Sequence, residues 1–354
     1  MSAQDPSIYE FFTITSNEDP SLVVELKGGT VSFSYFENVL SPMVTAQAII
    51  ATTGHAITDK DGDLTSVYNG LPLRGGEMVE IKIASNRDGM KDLEFTKKNG
   101  NELYVGSVTN IIIDKQKETF TLNLISKEAI TNETTRVGKK FGRKITDSVQ
   151  DIIKNYLKTD KQIDFDETEN EYAFIGNMKK PFTILTWLAS KSVPSEVAGQ
   201  SSSAGYFFFE TKEGYHFRSV DGLIASEPFG GEQKISYTYS PGVVNNEDPM
   251  KDFKVLDFAI DKNENLIKKL ERGGFCSFRT YFNPLSHRFT RPNEGLFKLS
   301  DYAENMENLG EQLEIKLRPL DPKSGKTLAD LPTRYVTGTL DFGTLEKKGS
   351  RQRK

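Results

Sequence analysis

ELKGGTVSFSYFENVLSPMVTAQAIIAT, residues 25–52, is the stretch from which the fold is read. Val31, Phe33 and Tyr35 alternate with Ser32, Ser34 and Phe36; beyond the break at Ser41-Pro42, Val44, Ala46 and Ala48 alternate with Thr45, Gln47 and Ile49. Successive side chains of a strand point to opposite faces, so this alternation predicts two half-buried strands joined by a turn. Two registers satisfy it: Phe33 and Tyr35 in the core with Ser32 and Ser34 towards a partner, or the reverse. Edged with Ser, Thr and Gln, the pair reads as the opening hairpin of a barrel or sandwich that shows one face to a partner.

Working outward, residues 51–69 are polar and contain Gly, which predicts a loop, closed by a turn at Tyr68-Asn69-Gly70-Leu71-Pro72. Met78, Val79, Ile81 and Ile83, then Leu93-Glu94-Phe95, Leu103-Tyr104-Val105, residues 107–114 and residues 119–126 read as further short strands separated by Gly, Asn and Lys-rich turns. Six or seven strands without a helix in about 130 residues point to a small barrel or sandwich.

The periodicity then changes. Residues 131–135 form a polar connector, and Ile145, Val149, Ile152, Ile153, Tyr156 and Leu157 recur at three and four residues, the spacing of an amphipathic helix with Thr146 or Asp147 as its N-cap. Pro181 opens a second helix with Phe182, Leu185, Leu188 and Ala189 on one face, and Trp187 beside that face is expected in the core. Residues 197–204 read as a Gly/Ser loop. Residues 206–210 pair with 215–218 in a hairpin whose turn draws its left-handed residue from Gly214. Residues 235–239 and 253–260 read as strands flanking the loop 241–250, 265–270 as a short helix, and 275–282 and 313–317 as extended segments.

The composition bounds the functions available. The 354 residues suit two or three domains, and 13 Tyr with 23 Phe favour strands. With 45 Lys+Arg against 50 Asp+Glu, the net charge of -5 argues against general nucleic-acid or anionic-membrane binding. The basic end, Lys347-Lys348 and Arg351-Gln352-Arg353-Lys354, is too short to alter that. A single cysteine, Cys276, excludes an internal disulfide, points to a reducing compartment, and between Phe275 and Phe278 reads as a buried small hydrophobe. No leader pattern and no apolar run approaching the length of a span occurs, so no integral membrane segment is expected.

Candidate chemistry is sparse. His55, His216 and His287 have no metal-ligand spacing between them. Asp59-Lys60-Asp61-Gly62-Asp63 opens like a calcium loop, but Leu64 stands where that loop needs Gly and Gly70 where it needs a bidentate Glu, so it reads as an Asp/Gly turn. No nucleophile elbow, phosphate loop or dinucleotide fingerprint is present. Tyr206, Phe207, Phe208 and Phe209 could stack bases, but without interleaved Lys or Arg they read as a packed hairpin, and no nucleic-acid sequence recognition is expected. Catalytic, cofactor-binding and metal-binding residues are therefore expected to be none.

Leu22 to Ile50, YNGLPLRGGE (residues 68–77), GNMKKPFTILTWLASKSVP (176–194) and SAGYFFFETKEGYHFRSVDGLI (203–224) together resemble the baseplate central-hub proteins of contractile-tailed bacteriophages. The resemblance spans most of residues 20–290. It implies an α+β, β-rich fold: a tail-tube-like barrel in residues 1–127, an α/β clamp-like domain in 128–226 with two helices and an aromatic hairpin, the first strands of a second tube-like barrel in 227–262, and an inserted β-rich region in 263–354. The sequence departs from that pattern in stopping before the second barrel closes, which implies a fragment or strands supplied by another polypeptide.

The resemblance further implies a homotrimeric adaptor joining the threefold cell-puncturing spike to the sixfold tail tube. Its partners would be the spike/lysozyme protein and the tube initiator or other baseplate proteins, and its place the virion baseplate after assembly in the host cytoplasm. Such a protein works by shape and edge complementarity and is not an enzyme. The alternative is a phage-tail cell-wall hydrolase using a pair of carboxylates, which 50 acids could supply.

Overall fold

A computed structural model of the chain describes residues 8–58, 62–85, 92–114, 117–195, 205–227, 236–239, 252–255, 258–259, 265–284, 286–289, 295–298 and 323–339. The first unit comprises β1 (Ile8–Thr15), β2 (Val23–Glu25), β3 (Thr30–Phe36), β4 (Thr45–Thr52), the small hairpin β5 (Ile57–Thr58) and β6 (Leu64–Thr65), the one-turn helix α1 (Val67–Gly70), β7 (Met78–Ala84), β8 (Leu93–Phe95), β9 (Leu103–Ile113) and β10 (Glu118–Ser126). Eight strands make one antiparallel sheet in the order β2-β1-β7-β9-β10-β4-β3, with β8 beside β7. It wraps a core in which Phe12, Ile14, Ala48, Ile50, Val79, Ile81 and Leu122 are wholly buried. Its end strands, β2 and β3, do not pair with each other among the described residues, so the barrel is open.

The opening hairpin takes the first of the two registers. Phe33 and Tyr35 pack on the core, with Phe33 6.1 Å from Phe12 and Tyr35 5.4 Å from Phe95 between ring centroids, while Ser32 and Ser34 are exposed. Val31 departs from the alternation and is 66% exposed, because the pairing slips from Thr30–Ile50 to Ser32–Ile49 and leaves it at a bulge. The loop expected over residues 51–69 contains β5, β6 and the start of α1, and the turn expected from Tyr68 begins inside that helix. Buried Glu118 makes the helix possible: its carboxylate accepts from Val67 N at 2.8 Å, Tyr68 N at 2.9 Å and Thr52 Oγ1 at 3.1 Å. The segments expected as two strands at 103–105 and 107–114 are one strand, β9, bent by register shifts.

The second unit comprises α2 (Lys127–Thr134), β11 (Lys140–Phe141), α3 (Ile145–Ile152) continuing into a π-helical turn at Ile153–Leu157, β12 (Ile163–Phe165), β13 (Phe174–Ile175), α4 (Pro181–Lys191), β14 (Tyr206–Thr211), β15 (Gly214–Ser219) and α5 (Val220–Ile224). The polar connector at 131–135 is thus mostly helix α2. The N-cap of α3 is Lys144 rather than Thr146 or Asp147, since Thr146 turns inward to share a 2.8 Å hydroxyl contact with Thr168. Pro181 opens α4 as expected, and Phe182, Ile184, Leu185, Leu188 and Ala189 are buried. Trp187 is not in the core: two residues past Leu185 it lies about 200° round the helix, is 37% exposed, and meets Tyr172 and Phe174 edge-on at 5.4 Å each. In the hairpin, Phe208 stacks on Tyr215 at 5.5 Å, and β15 also pairs in parallel with β12. Gly214 has φ +140, and a Cβ there would stand 2.2 Å from the Gln162 carbonyl oxygen.

Further on, β16 (Ser236–Tyr239) pairs in parallel with β17 (Asp252–Val255). Helix α6 (Leu266–Glu271) starts where Asn265 accepts from Lys268 N at 3.0 Å. Strand β18 (Cys276–Asn283) carries β19 (Arg288–Phe289) and β20 (Leu296–Lys298) antiparallel to it and β21 (Arg334–Thr339) parallel to it. Cys276 is wholly buried, as its neighbours indicate. The expected segments at 197–204, 241–250 and 313–317, the first residues of the Asp59–Asp63 motif, and the basic end lie outside the described residues.

The first two units are joined through one buried cluster. Glu210 of β14, 1% exposed, accepts from Val44 N at 2.8 Å and Ser126 Oγ at 2.6 Å with one oxygen and from Lys161 Nζ at 2.6 Å with the other. Lys161, 7% exposed, also reaches Glu128 of α2 at 2.8 Å, and Glu128 accepts from Thr159 Oγ1 at 2.6 Å. The hairpin tip adds two bonds: Lys212 N donates to Glu37 at 2.7 Å, and Asn101 Nδ2 donates to the Lys212 carbonyl at 2.8 Å. Burial lowers the Lys161 pKa, but Glu210 and Glu128 more than restore it, leaving the ammonium above its ordinary value. Burial raises the Glu210 carboxyl, and Lys161 offsets only part of that.

Glu210→Ala takes the acceptor from buried Val44 N and Ser126 Oγ and leaves buried Lys161 with Glu128 alone, so it is expected to lower folding stability by about 3 to 5 kcal/mol in urea denaturation. The raised carboxyl also fixes the sign of a pH effect. The folded chain keeps a proton that the unfolded chain releases near pH 4.5, so the contribution of Glu210 is fully present below that pH and declines as the pH rises through its folded value. Glu210→Gln, which cannot titrate, is expected to remove that decline, measured as urea midpoints of both chains across the acid-to-neutral range.

Candidate assembly interface

The outward face of β3, β4, β10 and β9 is built from register. Ser34 lies opposite Gln47, Gln47 opposite Asn123, and Asn123 opposite Ser107; one rung along, Ser32, Ile49, Thr121 and Thr109 align in the same way. The side chains bond across the strands: Gln47 Nε2 donates to Asn123 Oδ1 at 3.2 Å, and Asn123 Nδ2 donates to Ser107 Oγ at 3.1 Å and Thr109 Oγ1 at 3.2 Å. Apolar groups flank this polar strip, with Phe36 54%, Ile49 39% and Ile112 66% exposed.

None of these positions carries Asp, Glu, Lys or Arg, in a chain that is 27% charged. A solvated sheet face normally carries charge, whereas loss of charge and retention of exposed apolar groups mark surfaces that meet another surface. The same face is bounded by two open edges. Among the described residues β3 pairs only with β4, and β9 meets β7 only at Leu103 and Tyr104, so Ser107 to Ile113 have β10 on one side and no strand on the other. Neither open stretch contains Lys or Pro, which usually block pairing at an edge.

The residues singled out for chemistry are not brought together. His216 bonds Thr211 Oγ1 at 2.8 Å, lies 3.3 Å from Asp164 Oδ2 and stacks on Phe209; His55 is exposed near β6, and His287 packs near Phe282 beside β18. Among the described residues no group of three or more His, Cys, Asp and Glu is placed to hold a metal ion, and no helix is long and apolar enough to cross a membrane. Tyr206, Phe208 and Phe209 are buried, so the aromatic run packs the hairpin. The uncharged face had one trace in the sequence: Thr45, Gln47 and Ile49, then Thr119, Thr121 and Asn123, are alternate positions free of charge.

No protein-family model matches this sequence, and no curated protein does. The solved structures that resemble it include phage tail proteins. The 43 kDa tail protein of prophage MuSo2 from Shewanella oneidensis is 11% identical, with a TM-score of 0.38 over 75% of this chain and 76% of its own. A tail protein from Neisseria meningitidis MC58 is 11% identical, with a TM-score of 0.41 over 94% of this chain and 71% of its own. Prophage tail protein gp18 from Listeria monocytogenes EGD-e is 6% identical, with a TM-score of 0.40 over 93% and 73%.

Proposed function

We propose that the chain is a structural subunit of a phage tail, and more finely a homotrimeric baseplate hub that joins a threefold spike to a sixfold tube. The observation that carries this reading is the uncharged outward face of β3, β4, β10 and β9, bounded by an open edge at each end. Two different edges on one sheet make a head-to-tail interface, and a rotation that closes turns such an interface into a ring. With β3 of one copy laid on β9 of the next, the sheet continues from subunit to subunit, and the Ser, Thr, Asn and Gln rungs run on without a charge mismatch.

The sequence resemblance supplies the threefold count and the partners: the spike/lysozyme protein on one side and the tube initiator or baseplate proteins on the other. Burying Phe36, Ile49 and Ile112 would contribute about 1.5 to 3 kcal/mol for each side chain fully covered, and the edges would add main-chain hydrogen bonds. No bond is made or broken in this role. The assembled site of action is the virion baseplate, reached after assembly in the host cytoplasm.

Light scattering of the purified chain at micromolar concentration is expected to give three times the single-chain mass. The double substitution Ser34→Lys/Ile112→Lys, one charge at each open edge, is expected to reduce that to one chain while shifting the folding stability by no more than about 0.5 kcal/mol per site. A wild-type mass of one chain across the same range would sink the ring.

A further inference from the structure

We propose that the cavity beside β18 is an oxyanion site that takes a multiply charged phosphate group. It has a volume of about 320 Å³, at the lower end of the range for small-molecule pockets. Four cationic residues line it: Arg272 at the end of α6, Arg279 on β18, Lys298 on β20 and Arg334 on β21. Among the described residues no Asp or Glu lines it.

Among the described residues only one of the four charges has a carboxylate partner. Lys298 is paired with Asp330 at 2.8 Å, and that carboxyl is held down to about 2 by Lys298 and by the N–H and hydroxyl of Thr327. The three guanidinium groups have no carboxylate partner among the described residues. Arg279 instead lies over the Phe297 ring, 4.5 Å from its centroid, which holds the fork in place. Gathering three cations that have no carboxylate partner among the described residues in one hollow, in a chain whose net charge is -5, costs self-repulsion that a bound anion relieves.

The backbone keeps this hollow open. Gly273 has φ +71, and a Cβ there would stand 2.9 Å from Arg334 Cβ and 3.0 Å from Ser277 Cβ. Only glycine lets the turn after α6 come this close to β21 and bring Arg272 and Arg334 to one cavity. The N–H groups of Gly273 and Gly274 are already spent, donating to the Leu270 and Lys269 carbonyls at 2.9 Å each. Recognition therefore falls to side-chain charge. Three of the four cations are arginine, whose planar fork matches two oxygens of a phosphate, so the ligand class is a phosphate with several ionised oxygens rather than a single carboxylate. This site lies on a different sheet from the assembly face and does not depend on the hub reading.

Titration calorimetry of the full chain with inorganic pyrophosphate tests the assignment. Binding is expected, weakening as salt is added, and Arg279→Ala/Arg334→Ala is expected to weaken it by about tenfold or more with an unchanged far-ultraviolet spectrum. No binding by the wild-type chain, or equal binding by the folded double variant, overturns the site. If the alanine variant fails to fold, Arg279→Lys/Arg334→Lys decides: it keeps charge and stem but loses the fork, so weaker binding supports the site and unchanged binding overturns it. A parallel assay with phosphatidylcholine vesicles containing phosphatidic acid separates the sources. Pyrophosphate binding without vesicle binding assigns soluble phosphate; binding of both assigns a phosphate the cavity also reaches on a lipid surface.

Discussion

The carboxylate of Glu210 is the constraint on which the arrangement of the first two units rests. It takes donors from the start of β4, the end of β10 and the loop before β12. Val44 follows the Ser41-Pro42 break, where β3 has ended and no neighbouring strand supplies an acceptor for its N–H. A buried N–H left unpaired costs as much as a lost hydrogen bond, so the second unit completes the pairing of the first. Because β4 and β10 are the two central strands of the outward face, the geometry of that face depends on a residue more than 80 positions away in sequence, as the Ser126–Glu210 bond spans 84.

Glu210 is the largest instance of a repeated device. Buried Glu118 accepts from the first turn of α1, buried Glu77 accepts from Arg74 N and Gly75 N, and Glu25 accepts from Phe12 N and Lys27 N. In each case a carboxylate closes backbone where strand pairing fails. Several of the 50 acids therefore work inside the protein, and net charge alone overstates how acidic its surface is. That is how one surface can be uncharged and another strongly cationic in a chain of negative total charge.

Legibility in the sequence followed periodicity and stopped where polar contacts replaced it. Strands β3, β4, β7 and β10, helices α3 and α4 and the β14–β15 hairpin all show their buried faces as spaced apolar residues. Strand β1 does not: the consecutive Phe11 and Phe12 break the apolar alternation, and its register shifts between Tyr9 and Phe11, although Phe12 and Ile14 are wholly buried. Helix α2 reads as a polar connector because its inward face is Glu128, Ala129 and Asn132, held by Lys161 and by Phe182 N donating to Asn132 at 2.8 Å. Neither surface site was legible as a unit. The uncharged face unites four strands whose register the sequence does not state, and the four cations of the cavity beside β18 come together only when β21 lies on β18.

The two surfaces also differ in how they must respond to their surroundings. Charge-driven recognition weakens with salt, because mobile ions screen exposed charges beyond about 8 Å at physiological strength. A face of hydroxyls, amides and aliphatic groups has no such charge to screen. Its main-chain and side-chain hydrogen bonds each contribute only about 0.5 to 1.5 kcal/mol net, so its strength must come from many of them formed at once and from covered apolar area. Its specificity is then a matter of register, since sliding a strand by one residue would set Phe33 and Tyr35 where Ser32 and Ser34 now stand and expose part of the core. A sheet built this way suits a contact made once and kept, whereas the arginine cavity suits a ligand that comes and goes.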